Sequence, residues 1–192
     1  MQQSSAMIPL LKKTINGGLR LLFAPLRLMR GNRKPKGAQP RHMEVPNHIL
    51  LVAVRDALRK GYTATISVKG WSMRPFLEHL RDKVQLSSPD GAIVGDAVLA
   101  ELSPGHFVLH RIIAIQPNDA DHSRDAITLM GDGNIRGTEH CMRSDLCGIV
   151  THYIYPHKTV PADDPGLQRR IRRWRRLLPI RRYLLAIYKA NI

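Results

Sequence analysis

The spacing of apolar and polar positions changes period along this chain. Between Pro46 and Lys60, residues Leu50, Leu51, Val54 and Leu58 recur at helical spacing and predict an amphipathic helix. Pro46 suits its first turn, Arg59 and Lys60 stand at its end, and Gly61 is placed to cap it. From Tyr62 to Lys69 the period drops to two, which reads as a strand ending at Gly70. Phe76 to Leu80 reads as a single helical turn. Five more short stretches read as strands: 83–87, 97–102, 107–115, 126–130 and 146–155. The turn signals Ser88-Pro89-Asp90-Gly91, Ser103-Pro104-Gly105, Gln116-Pro117-Asn118-Asp119 and Gly131-Asp132-Gly133-Asn134 separate them. Close spacing with turn-rich gaps predicts a mainly β fold: a partly closed antiparallel β-domain with a preceding helix.

The two ends follow another pattern. Residues 1–30 hold apolar clusters broken by Lys12, Lys13, Arg20 and Arg27, which reads as a basic amphipathic segment. Gly31 to Pro40 reads as a linker and Pro156 to Gly166 as a loop. In residues 167–192, Ile171, Trp174, Leu178 and Tyr183 can share one face of a helix kinked near Pro179. The expected organisation is therefore an amphipathic segment and linker at 1–43, a β-domain at 44–156, and a loop with a basic amphipathic helix at 157–192. No run approaches the roughly 18 apolar residues that a spanning helix needs, and no cleavable secretory signal is evident. A cytoplasmic or peripheral-membrane protein is expected.

Charge sharpens this division. The formal net charge of the 192 residues is +15. Residues 1–43 and 167–192 each carry nine Lys/Arg and no acid, whereas the segment between holds twelve Lys/Arg against fifteen Asp/Glu. A mildly acidic body argues against a domain built to grip nucleic acid. Basic ends point to an anionic surface such as lipid headgroups, with RNA or an acidic partner as alternatives. For residues 167–192 three readings stand: an interfacial membrane helix, an RNA-binding helix, or a helix docked on its own domain with a solvated arginine face. Cys141 and Cys147 are too few for a disulfide framework and read as partly buried thiols; one disulfide between them would need an oxidising compartment.

The candidate chemistry centres on Gly70-Trp71-Ser72-Met73-Arg74-Pro75. Gly70 ends a strand and Pro75 forces a turn, so Ser72 sits on a constrained corner. Alone, such a cluster is a turn. Further segments change that reading. Gly70-x-Ser72-Met73-x-Pro75 resembles the nucleophile box of the signal peptidase and LexA-type serine peptidase superfamily. Arg81-Asp82-Lys83-Val84, Val108-Leu109-His110-Arg111-Ile112 and Leu129-Met130-Gly131-Asp132-Gly133-Asn134 resemble, in the family's order, its next turn, its general-base segment and its late Gly-Asp box. The resemblance covers residues 45–155.

That resemblance implies a serine endopeptidase with Ser72 as nucleophile and an extended peptide as substrate. Bacterial signal peptidases place a lysine where His110 stands, so His110 resembles the endoplasmic-reticulum and sporulation types. A histidine base, with a reference pKa near 6.5, is neutral in useful amounts at neutral pH. Its acid partner in those relatives lies in or just after the Gly-Asp box. Here Asp132 is the first choice and Glu139 the second, with a Ser72–His110 dyad as the remaining arrangement. The oxyanion would be held by the Ser72 N–H. Arg111 reads as a structural strand residue, and Asp82 and Asp96 read as turn residues. His106 has no third ligand near it, so neither metal nor cofactor is expected. Two other functions compete. A LexA-like self-cleaving regulator would need an N-terminal helix-turn-helix, for which residues 1–45 are too short. A catalytically degenerate module would bind peptide or lipid without cutting.

Overall fold

The structure, a computed structural model, describes residues 47–190. The expected N-terminal segment, the linker and Pro46 lie outside the described residues.

Helix α1 (Asn47–Arg59) is followed by β1 (Ala64–Ser67), β2 (Lys83–Ser87), β3 (Ala97–Ser103), β4 (His106–Gln116), β5 (Ala126–Met130), β6 (Glu139–Met142), β7 (Leu146–Tyr155) and β8 (Lys158–Pro161). Helices α2 (Pro165–Arg176) and α3 (Arg181–Ala190) close the chain, joined by a short 3-10 turn at Leu178–Ile180. The fold is a mainly antiparallel β sheet with a few helices. Its strands run in the order β1-β2-β7-β3-β4-β5-β6, with β8 added to β7. The end strands β1 and β6 do not pair, so the sheet is open and the expected partial closure is corrected.

Each face of the sheet carries a core, because alternate residues of each strand point to opposite sides. One core gathers Leu51, Val54 and Leu58 of α1, Val84 and Leu86 of β2, Leu99 of β3 and Tyr153 of β7. Leu167 and Ile171 of α2 complete it. The other gathers Val98, Ala100, Ile112, Ile127, Leu129 and Leu146. The predicted helical stripe is thus right at Leu51, Val54 and Leu58, while Leu50 is exposed. Gly61 caps α1 at φ +80°, its N–H donating to Leu58 O at 2.9 Å.

Other expectations need correction. Residues 76–80 form no helix, because the Glu78 N–H donates to the Asp82 carboxylate at 2.8 Å rather than to a carbonyl one helical turn back. The expected loop at 156–166 contains β8, which pairs with the end of β7. Strand β6, unmarked in the pattern, pairs with β5. The kink at Pro179 is where expected. Residues 167–190 are docked rather than free: Leu167, Ile171 and Leu185 are buried. Asp164 caps α2 by accepting the Leu167 N–H at 2.7 Å, with Pro165 in the first turn. Among the described residues no helix is long and apolar enough to cross a membrane. Cys141 and Cys147 are free thiols, each pushed up to about 11 by burial.

Candidate active site

The corner after β1 is fixed from several directions. Gly70 has φ +97°, a conformation that L side chains rarely adopt. Its N–H donates to His79 Nδ1 at 2.8 Å, and the His79 ring packs 4.6 Å from that of Trp71. The Arg74 guanidinium lies 4.1 Å over the Trp71 ring and is tied to Glu78 at 2.9 Å. Met73 and Leu77 are buried beneath the turn. The Arg74–Pro75 peptide is cis. On either side of Ser72 the carbonyls are occupied: Trp71 O accepts the Arg74 N–H at 3.2 Å, and Ser72 O accepts the Gly133 N–H at 2.6 Å. Among the described residues, neither the N–H nor the hydroxyl of Ser72 has a protein partner.

The Gly-Asp loop meets this corner at van der Waals limits. A Cβ on Gly131 would lie 2.5 Å from Ser72 O and 2.9 Å from Ser72 Cβ. One on Gly133 would lie 2.8 Å from Trp71 O. Glycine is therefore required at both places, to let two backbones touch. Arg111 of β4 pairs with Met130 of β5, so continuing the register by one residue sets Gly131 opposite His110. Cross-strand neighbours share a face of the sheet. Ser72 thus fills the space that a side chain on Gly131 would take.

His110 is buried, at 6% exposure. Its Nδ1 lies 2.8 Å from Oε2 of Glu139, carried by β6 across the end of β5. A carboxylate only accepts, so Nδ1 carries the proton and Nε2 keeps the lone pair of the neutral ring. No hydrogen bond joins the Ser72 hydroxyl to this ring among the described residues.

Arg111, next along β4, faces the opposite side and is 1% exposed. Its Nε and Nη2 donate to the two oxygens of Asp132 at 2.8 and 2.5 Å, and Nη1 donates to Gly95 O at 2.8 Å. Burial alone would lower the guanidinium's proton affinity, but the Asp132 charge prevails and holds it above its ordinary value. The first choice of acid is corrected here. Asp132 belongs to Arg111 and locks the Gly-Asp loop to β4, and the carboxylate on His110 is that of Glu139. Asp82 holds the turn before β2, accepting the Glu78 N–H at 2.8 Å, and is buried beside the Arg81 guanidinium. Asp96 also holds a turn, accepting the Ile93 N–H at 2.9 Å. His106 is exposed at the start of β4.

The C-terminal helices belong to this site, which the sequence pattern did not indicate. The Trp174 indole N–H donates to Asp132 O at 2.7 Å. Arg181 donates to Asn134 O at 2.9 Å and lies 5.5 Å over the Trp174 ring. Arg181 is buried, its Nε has no partner among the described residues, and desolvation holds it below its ordinary pKa. The Tyr188 hydroxyl donates to Glu78 Oε1 at 2.8 Å. Between α3, the Gly-Asp loop and the corner lies a cleft of about 330 Å³ that Ser72 helps to line.

Compared with models of known protein families, with curated proteins and with solved structures, the chain matches none of them.

Proposed function

We propose that this protein is a serine endopeptidase of the signal-peptidase type that works at an anionic membrane surface. The observation that carries the reading is the contact of His110 Nδ1 with Glu139, 2.8 Å long, on a strand that pairs with the one leading into the Gly-Asp loop; that loop touches Ser72, whose hydroxyl and N–H have no partner among the described residues. That contact leaves Nε2 as the base. In the proposed reaction Nε2 takes the proton of Ser72 Oγ as the oxygen attacks the scissile carbonyl. Glu139 stabilises the imidazolium that forms, and the Ser72 N–H receives the developing oxyanion. The imidazolium then protonates the leaving amine, and water hydrolyses the acyl-enzyme by the same route. Arg111 and Asp132 are positioning residues, since they hold the loop that fixes the corner.

Two further features fit an extended peptide at a membrane. β1 ends the sheet and leads directly to Ser72, so its outer edge offers main-chain groups to a substrate strand. On α2, Arg169, Arg170, Arg172, Arg173 and Arg176 are exposed, a basic face suited to lipid headgroups.

A second reading is a peptide-binding module without catalysis. It is favoured by the lack of a hydrogen bond between Ser72 and His110, although such bonds often close only in the substrate complex. Cleavage of a peptide library, read by mass spectrometry, separates the two. The peptidase reading expects cleavage that Ser72→Ala and His110→Ala each abolish without loss of fold. Tight peptide binding by a parent protein that cuts nothing would favour the module.

A further inference from the structure

The cleft beside Ser72 has a distinctive lining. Leu185 and Ala186 of α3 and Ile135 of the Gly-Asp loop supply apolar surface. Arg74, Arg182 and Lys189 supply three cations, and among the described residues no Asp or Glu lines the space. Arg74 is neutralised by Glu78. Arg182 stacks 4.4 Å over the Tyr183 ring, bonds its hydroxyl and forms no ion pair among the described residues. Lys189 forms no ion pair among the described residues. Two cations with no counter-charge among the described residues thus stand over an apolar floor next to the candidate nucleophile.

Helix α3 is not a loose cover. The bonds from Trp174 to Asp132, Arg181 to Asn134 and Tyr188 to Glu78 fasten α2 and α3 to the two segments that build the corner. A wall so anchored is part of the site's shape.

We propose that this cleft is a specificity subsite for an acidic side chain of the substrate peptide, close to the scissile bond, held by Arg182 and Lys189. The inference rests on the peptidase reading and names its substrate class. Charge complementarity selects the occupant: a carboxylate meets two cations and no competing acid, with apolar surface for the adjoining methylenes. The chain's own residues 1–43, with nine Lys/Arg and no acid, carry the wrong charge to fill it.

The test uses the full chain carrying Ser72→Ala, so that binding is read without cleavage. Alanine-rich fluorescent peptides carry one Glu at each position in turn, and each has a Gln twin. Polarisation titrations should show, for at least one position, a Glu peptide binding about five- to tenfold more tightly than its twin, the range expected of partly exposed ion pairs. Adding R182Q and K189Q together should bring that ratio to about one, and raising the salt should shrink it. Both residues are exposed, so melting curves of that variant should match the parent. The proposal is overturned if no Glu peptide binds, if Glu and Gln twins bind alike, or if the preference survives R182Q/K189Q. It is also overturned if phosphatidylglycerol vesicles displace the Glu peptides in competition, which would make the cleft a lipid-headgroup site. Cleavage by the parent protein separates the two readings. A parent that cuts Glu and Gln peptides equally keeps the peptidase and loses the subsite. A parent that cuts neither, beside intact Arg182- and Lys189-dependent binding, keeps the subsite and loses the peptidase.

Discussion

Nδ1 of His110 faces Oε2 of Glu139 at 2.8 Å, while the carboxylate of Asp132 is turned to Arg111 on the other side of the same strand. Two carboxylates close in sequence to one loop therefore have different work. Glu139 orients an imidazole; Asp132 neutralises a buried guanidinium.

This division predicts opposite outcomes for two isosteric changes. Glu139→Gln should lower kcat on the order of 10²-fold or more, because the ring loses its fixed tautomer and the stabilised imidazolium. Its melting temperature should scarcely move, since Glu139 is 29% exposed. Asp132→Asn should instead cost about 3–5 kcal/mol of stability, the usual effect of leaving a buried charge unpaired. Urea titrations and steady-state kinetics on both variants check this. A stable Asp132→Asn protein with normal Glu139→Gln kinetics would reverse the assignment.

Gly131 should be intolerant of even one methyl group. The Cβ of Gly131→Ala would lie 2.5 Å from Ser72 O, a backbone atom that cannot swing away. The corner must then shift, and a displacement near 1 Å at a catalytic group costs about 10²-fold in rate. Gly137→Ala is the control: it carries φ +87° but has nothing within 4 Å, so it should lose some stability and keep its activity. Equal activity of the two variants would remove the close contact from the account.

Stability in acid should depend on Asp125. Its carboxylate is held below the ordinary value, first by the Asn118 N–H at 2.9 Å and then by the Arg143 guanidinium at 2.8 Å. A carboxyl whose pKa is depressed in the folded state contributes stability above its unfolded pKa. That contribution is lost as pH falls through the folded value. The urea midpoint should therefore decline below about pH 4, and Asp125→Asn should flatten part of the decline. An unchanged acid slope in Asp125→Asn would contradict this.

Membrane attachment can be tested without dismantling the fold. Deleting residues 167–192 would uncover the core around Leu167 and Ile171. Replacing Arg169, Arg172, Arg173 and Arg176 by Gln changes only exposed side chains. Each basic residue near an anionic surface contributes about 1 kcal/mol, so sedimentation with phosphatidylserine vesicles should weaken at least about tenfold, and added salt should weaken the parent as well. Undiminished binding by the quadruple variant would take α2 out of the membrane role.

Much of the scaffold is visible in local pattern. Strands β2, β5 and β7 match their predicted limits, since alternation and flanking turns coincide there. Strand β6 escapes because Glu139-His140-Cys141-Met142 is only four residues long, does not alternate apolar with polar, and lies at the sheet's end, where only one neighbour selects its residues. β8 escapes because Pro161 reads as a loop residue, although proline is tolerated on an outer strand. At the site, Ser72 and His110 come from local motifs. The rank order of Asp132 and Glu139 does not, because it depends on where Arg111 reaches. Strand alternation held the clue: His110 and Arg111 are consecutive, so they face opposite sides and cannot share one acid as a common partner. The docking of Trp174, Arg181 and Tyr188 on the corner joins positions 40 or more residues apart, and no local pattern encodes it.

In the proposed mechanism Ser72 is a nucleophile activated by the His110–Glu139 pair. Incubation with a fluorophosphonate, followed by intact-mass and peptide mapping, addresses it most directly, because that reagent phosphonylates only activated hydroxyl groups. A single adduct is expected on Ser72, absent in Ser72→Ala and His110→Ala and formed much more slowly in Glu139→Gln. Labelling that persists in His110→Ala, or an intact folded parent that takes up no reagent at Ser72, would contradict it.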